Sequence, residues 1–118
     1  AKRHQTNEKM KAIDTFRKEP WRHNCAQAIA NRWVSLYDDK DIVDIYAPYI
    51  GGRAPQGYCG ALYAAMQACP AYAEAIIKEF TESMGATHCS ELKRNHRTPC
   101  EICVNKADEL VEKYAEIN

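Results

Sequence analysis

Apolar positions recur at helical spacing along most of the chain. Met10, Ile13 and Phe16 fall three apart among charges, so Glu8 to Arg17 is predicted as a first amphipathic helix that Glu19-Pro20 interrupts. From Trp21 to Tyr37, the residues Cys25, Ala28, Ile29, Val34 and Leu36 lie in a stretch free of Gly and Pro, a second helix with Asn24 as candidate N-cap. Ile42, Val43, Ile45 and Tyr46 suit one or two buried turns ending at Pro48. Ile50 to Gly57, IGGRAPQG, cannot continue a helix and is predicted as a loop. Strong helix formers follow from Tyr58 to Ala68, and Pro70 opens a further helix through Ala71 to Met84 with Gly85 as its stop. Ala86 to Thr98 is polar and irregular apart from a short turn at Ser90 to Lys93. Thr98-Pro99-Cys100-Glu101 has the spacing of a capping box with proline at the first helical position, and Val104, Ala107, Leu110, Val111 and Tyr114 mark a last helix. No strand, repeat or low-complexity tract is evident. The pattern predicts an all-α fold: a compact single-domain bundle of about five to six helices over residues 1–118, with a Gly-rich loop before the central helix.

Length and charge narrow the function classes. A chain of 118 residues has the size of one domain. Sixteen Lys and Arg balance sixteen Asp and Glu, so there is no basic field for a nucleic acid. No apolar run is long enough for a membrane span, and Ala1 to Arg17 is too polar for a signal-peptide core. A cytoplasmic protein is expected, although a mature form whose export signal had been removed would look the same.

Six cysteines are the one compositional excess. Disulfide frameworks belong mostly to short secreted chains without a helical core, which frees these cysteines to be ligands or redox groups. Cys59 opens a helix straight after the loop, where unsatisfied amides and the helix dipole favour a thiolate. Cys100 sits in the first turn of the last helix and Cys103 one turn on, nearly on the same face. Cys25 is near the start of its own helix, and Cys89 lies in the irregular stretch. Cysteine is also a small buried hydrophobe, the reading preferred for Cys69, which points away from the face of Cys59 on the same helix.

Several chemistries find no support. Cys100-x-x-Cys103 is a single pair, whereas zinc sites usually show two, and Val104 stands where covalent haem needs histidine. Thioredoxin-like strands and ferredoxin spacing are absent. GGRAPQG lacks the end of a phosphate loop, the run Asp38, Asp39, Asp41 and Asp44 lacks calcium-loop spacing, and no Ser/His/Asp order stands out. His4, His23, His88 and His96 are the available nitrogen donors, with surface roles preferred.

Taken together, Asn24-Cys25-Ala26-Gln27, Gly51-Gly52, Gly57-Tyr58-Cys59-Gly60-Ala61-Leu62, Cys89-Ser90-Glu91-Leu92 and Cys100 with Val104 and Ala107 resemble the redox-active family named C_GCAxxG_C_C after its cysteine signature. The resemblance implies a redox role for Cys25, Cys59, Cys89 and Cys100. A related domain in split-Soret cytochromes suggests an iron–sulfur centre, [4Fe–4S] or [2Fe–2S], and a homodimer. With no haem-binding part, the chain would need a redox partner protein. The last signature glycine falls near Ala64-Ala65 here, and Cys69 and Cys103 are additions, with Cys103 an alternate ligand to Cys100. The competing expectations are a thiol–disulfide oxidoreductase with reactive Cys59 or Cys100, and a zinc- or disulfide-stabilised binding module.

Overall fold

The computed structural model describes residues 10–49, 53–94 and 99–117. Within them the protein is all-α. Six helices follow one another: α1 (Cys25–Arg32), α2 (Ile42–Ile45), α3 (Gly60–Ala68), α4 (Ala73–Met84), α5 (Cys89–Arg94) and α6 (Cys100–Ile117), with single 3₁₀ turns before α1 and in each of the first three connections. The only β pairing among the described residues is two isolated bridges, Phe16 with His23 and Tyr58 with His88. No helix among them is long and apolar enough to cross a membrane.

The small residues explain why α3 is central. It buries Ala61, Leu62, Ala64, Ala65 and Ala68, and the facing α1 buries Ala26, Ala28, Ile29 and Ala30. With little more than methyl groups between them, two helices can approach toward the short end of the usual 8–10 Å spacing. Helix α3 also packs against α6, which contributes Cys103, Val104, Ala107, Leu110 and Val111 along one stripe, and against α4, which buries Ile76 and Phe80. The Tyr37 hydroxyl donates to the Ala64 carbonyl at 2.7 Å, fixing the chain after α1 on the back of α3.

A buried carboxylate ties three segments together. Asp108 on α6 accepts from Arg32 Nη1 at 2.8 Å, Trp33 Nε1 at 2.7 Å and the Ala12 amide at 2.9 Å. Arg32 also lies 4.4 Å over the Trp33 ring. On the outside, Glu79 of α4 accepts from Lys113 at 2.9 Å and from the Tyr114 hydroxyl on α6.

The first predicted helix is replaced by a 3₁₀ turn at Ala12–Asp14; Glu8 and Lys9 lie outside the described residues. Its amides are used elsewhere: Ala12 N–H goes to Asp108, Lys11 N–H to the Asp14 carboxylate, and Arg17 N–H to the His23 carbonyl at 2.9 Å. The second helix starts at Cys25 and not at Trp21, because Arg22 adopts φ 52°, a left-handed conformation that a right-handed helix cannot include. Asn24 is its N-cap as expected, with Gln27 returning the bond to complete a capping box. Gly85, at φ 87°, ends α4 as its position suggested. The stretch after Gly85, expected to be irregular apart from a short turn at Ser90 to Lys93, extends that turn into α5, from Cys89 to Arg94. The loop residues Ile50, Gly51 and Gly52 and the cap Thr98 lie outside the described residues.

Candidate functional site

Four of the six cysteines stand at helix starts. Cys25 is the first residue of α1, Cys89 of α5 and Cys100 of α6, while Cys59 is the N-cap of α3. The close fit of α1 on α3 brings Cys25 and Cys59 together, through a gap left by Gly60. A Cβ at Gly60 would fall 2.7 Å from Cys25 Sγ, nearer than such atoms approach in real proteins. The start of α1 is held from its other side: the Asn24 side-chain amide donates to the Tyr46 and Ala47 carbonyls at 3.0 Å each, and Gln27 donates to Val43 O at 3.0 Å.

Backbone amides converge on the two sulfurs. Ala61 and Ala26 N–H groups bond to Cys25 Sγ, and Leu62 and Ala61 N–H groups bond to Cys59 Sγ, so the Ala61 amide reaches both. These are the orphan donors of helix first turns, directed at sulfur. Cys59 is itself fixed through its own N–H, which donates to the Thr87 carbonyl at 2.8 Å. Tyr58 stacks on the His88 ring at 5.0 Å, and Cys89 follows directly. The antiparallel bridge of Tyr58 with His88 brings the start of α5 beside the segment that leads into α3.

Helix α6 supplies the other side. Cys103 is buried, and its sulfur accepts a hydrogen bond from the Cys59 thiol. Cys100, half-buried, receives Arg17 Nη2 at 3.9 Å and lies close enough for its charge to act on Cys25. None of the six cysteines is in a disulfide. The chain matches no protein-family model, no curated protein and no solved structure.

The electrostatics correct one expectation. Helix position alone makes Cys59 a thiolate, yet its pKa stands well above the ordinary thiol value, raised first by the hydrogen bond it donates to Cys103 and then by burial. Cys25 is pushed up to about 12, mainly by burial and then by the nearby charges of Cys59 and Cys100. The amides at the helix starts lower both values, but desolvation outweighs them. In the metal-free chain both residues are therefore thiols near neutral pH. The folded chain keeps a proton on Cys25 that an unfolded thiol of ordinary value 9.0 gives up. Stability is thus fully present below about pH 9 and falls as pH rises from there toward 12. Urea titrations of metal-free protein at a series of alkaline pH values are expected to show the midpoint dropping across that window, and a smaller drop in Cys25→Ser.

The remaining donors have other roles. Among the described residues no three His, Cys, Asp or Glu side chains close on a point that could hold a single metal ion. His23 Nδ1 is 3.0 Å from the Thr15 hydroxyl and His88 Nδ1 is 2.8 Å from that of Thr87; His4 and His96 lie outside the described residues. Cys69 is buried at the end of α3 beside Tyr37, a core position in keeping with the hydrophobic reading. Gly60 and Arg17 were not singled out as site residues by sequence. A glycine at the first position of a helix otherwise built from Ala, Leu, Tyr, Met and Gln was the available signal, since glycine there costs helix stability without a packing reason. Arg17 carried none, because its approach to Cys100 joins positions 83 residues apart.

Proposed function

We propose that the chain is a cysteine-based redox protein in which Cys25, Cys59, Cys89 and Cys100 hold an iron–sulfur cluster that exchanges electrons with a partner protein. The observation that carries this reading is that these four cysteines each occupy a helix start, with backbone amides directed at the sulfurs of Cys25 and Cys59. They are also the four positions singled out by the resemblance to the C_GCAxxG_C_C family.

The chemistry of the donor set fits such a group. Thiolates are soft ligands suited to iron–sulfur clusters and zinc. A single tetrahedral ion with metal–sulfur bonds of about 2.3 Å needs sulfurs roughly 3.8 Å apart. Among the described residues no group of three His, Cys, Asp or Glu is placed to hold a metal ion. Burial that keeps Cys25 and Cys59 protonated makes them poor nucleophiles, which weighs against Cys59 as an attacking thiol. Metal coordination provides the positive charge that ionises such a thiol. A bound cluster supplies one-electron chemistry, with its potential tuned by hydrogen bonds to sulfur and by exposure. The protein's own part is to present those bonds from Ala26, Ala61 and Leu62, and to exclude water with the alanine-lined contact of α1 and α3.

The test is iron, zinc and acid-labile sulfide per chain in protein purified without oxygen. Iron and sulfide in comparable amounts are expected, lost in Cys59→Ser and Cys89→Ser and retained in Cys103→Ser. Zinc without sulfide, or six titratable thiols with no metal, would overturn the proposal.

A further inference from the structure

Residues 17–22 are all exposed, and the backbone holds them in a fixed loop. At its base Phe16 and His23 form a bridge; Arg17 N–H donates to the His23 carbonyl at 2.9 Å, and His23 N–H to the Thr15 carbonyl at 3.1 Å. Across the loop, Lys18 N–H reaches Thr15 O at 3.3 Å and Arg22 N–H reaches Lys18 O at 2.6 Å. Arg17 and Arg22, at φ 55° and 52°, both hold left-handed backbone that favours glycine. Arginine keeps its charge in both places at a conformational cost, and strain of this kind gathers where a protein binds something.

Both ends of the loop meet the cysteine site. The Arg17 guanidinium lies 4.8 Å over the Phe16 ring, with Nη2 3.9 Å from Cys100 Sγ. At the other end the chain runs through the cap Asn24 into Cys25. The loop's chemistry also departs from that of the chain. Arg17, Lys18 and Arg22 stand against Glu19 alone, an excess of two positive charges in a protein that is neutral overall. Glu19 accepts from Arg22, so Arg17 and Lys18 carry the excess. Beside them Trp21 is 42% exposed, whereas the other tryptophan, Trp33, is buried. Tryptophan and arginine are the residue types that most often carry the binding energy of a protein interface.

We infer that the loop of residues 17–22 is the docking surface for a partner protein that presents acidic side chains to Arg17 and Lys18 and an apolar hollow to Trp21. That the partner is an electron carrier rests on the proposed function; the charge and the exposed indole do not. Charge complementarity decides the occupant. Attraction between a basic loop and an acidic face steers the approach and fixes its orientation, which brings the partner's redox group toward Cys100 and Cys25. An anionic lipid surface ordinarily calls for a cluster of about four to eight Lys and Arg, so an acidic protein face with a pocket is the better match.

The experiment titrates the full chain, purified without oxygen, with two acidic electron carriers, a plant-type ferredoxin and a flavodoxin, and follows the heat of binding. A basic carrier, mitochondrial cytochrome c, is the control. At least one acidic carrier is expected to bind and cytochrome c is not. The affinity is expected to fall about tenfold on going from low salt to about 0.3 M, as screening sets in. Lys18→Gln and Trp21→Ala, both at exposed positions, are each expected to weaken binding about tenfold. Lys113→Gln, which removes the same charge toward the far end of α6 from Cys100, is expected to leave it unchanged. No binding of either acidic carrier, equal binding of cytochrome c, or wild-type affinity in both loop variants would each overturn the inference. Attachment to vesicles of equal parts phosphatidylcholine and phosphatidylserine, abolished by Trp21→Ala and with neither carrier bound, would overturn it in favour of a membrane surface. The heat reports docking and the iron and sulfide assay reads the cluster, so either idea can fail while the other stands.

Discussion

Asp108→Ala is expected to lower the free energy of unfolding by about 3–5 kcal/mol, the usual consequence of removing one partner from a buried ion pair. The carboxylate is nearly inaccessible and so is its partner: the side chains of Asp108 and Arg32 are 4% and 9% exposed. Removing it leaves a buried guanidinium whose remaining carboxylate, Glu112, is 3.7 Å away and more than half exposed, and whose Nε already has no partner. It also leaves Trp33 Nε1–H and the Ala12 amide without their acceptor. With whole domains stable by only about 5–15 kcal/mol, this single change removes a large fraction of the total. Denaturant titration of metal-free protein measures it, and Asp108→Asn, which keeps an acceptor oxygen, is expected to lose less. A loss below about 1 kcal/mol, the range of exposed pairs, would show that the network does not organise the fold. Because α6 carries Cys100 and Cys103, the same variant is expected to loosen the cysteine site.

The second large effect falls on the site and not on the scaffold. Gly60→Ala would set a Cβ 2.7 Å from Cys25 Sγ and 3.3 Å from the Tyr49 carbonyl oxygen. Overpacking of this kind costs about 1–3 kcal/mol, while exchanging glycine for alanine inside a helix returns up to about 1 kcal/mol of propensity. The net change in stability is therefore small. The sulfur of Cys25, in contrast, has to leave its place between the Ala26 and Ala61 amides. Gly60→Ala is expected to keep its far-UV helical signal and to lose most of its bound iron and sulfide. Wild-type iron content in this variant would mean that Cys25 is not a ligand.

Much of this architecture is legible locally. Asn24 and Gln27 form a capping box within four residues, Gly85 stops α4 through its own left-handed conformation, and the stripe from Val104 to Tyr114 declares the buried face of α6. Such features depend on contacts one helical turn apart, which the order of residues displays. The predicted first helix failed for the opposite reason: its amides found acceptors on Asp108 and His23, and periodicity says nothing of a competing partner 96 positions away.

The cysteines divide in the same way. Which of them begin helices follows from caps, prolines and glycines nearby; Cys25, Cys59 and Cys100 were legible in this sense, and Cys89 became so only when α5 formed. Tertiary structure decided how these residues behave. Alanine-to-alanine packing of α1 on α3, open at Gly60, sets Cys25 beside Cys59. Burial there turns helix-start positions that favour thiolates into protonated thiols. The approach of α6 gives Cys59 the partner Cys103 in place of the Cys100 that spacing would assign to Cys103. Desolvation and sulfur–sulfur contact depend on what other segments bring to the site, and no local pattern carries that information.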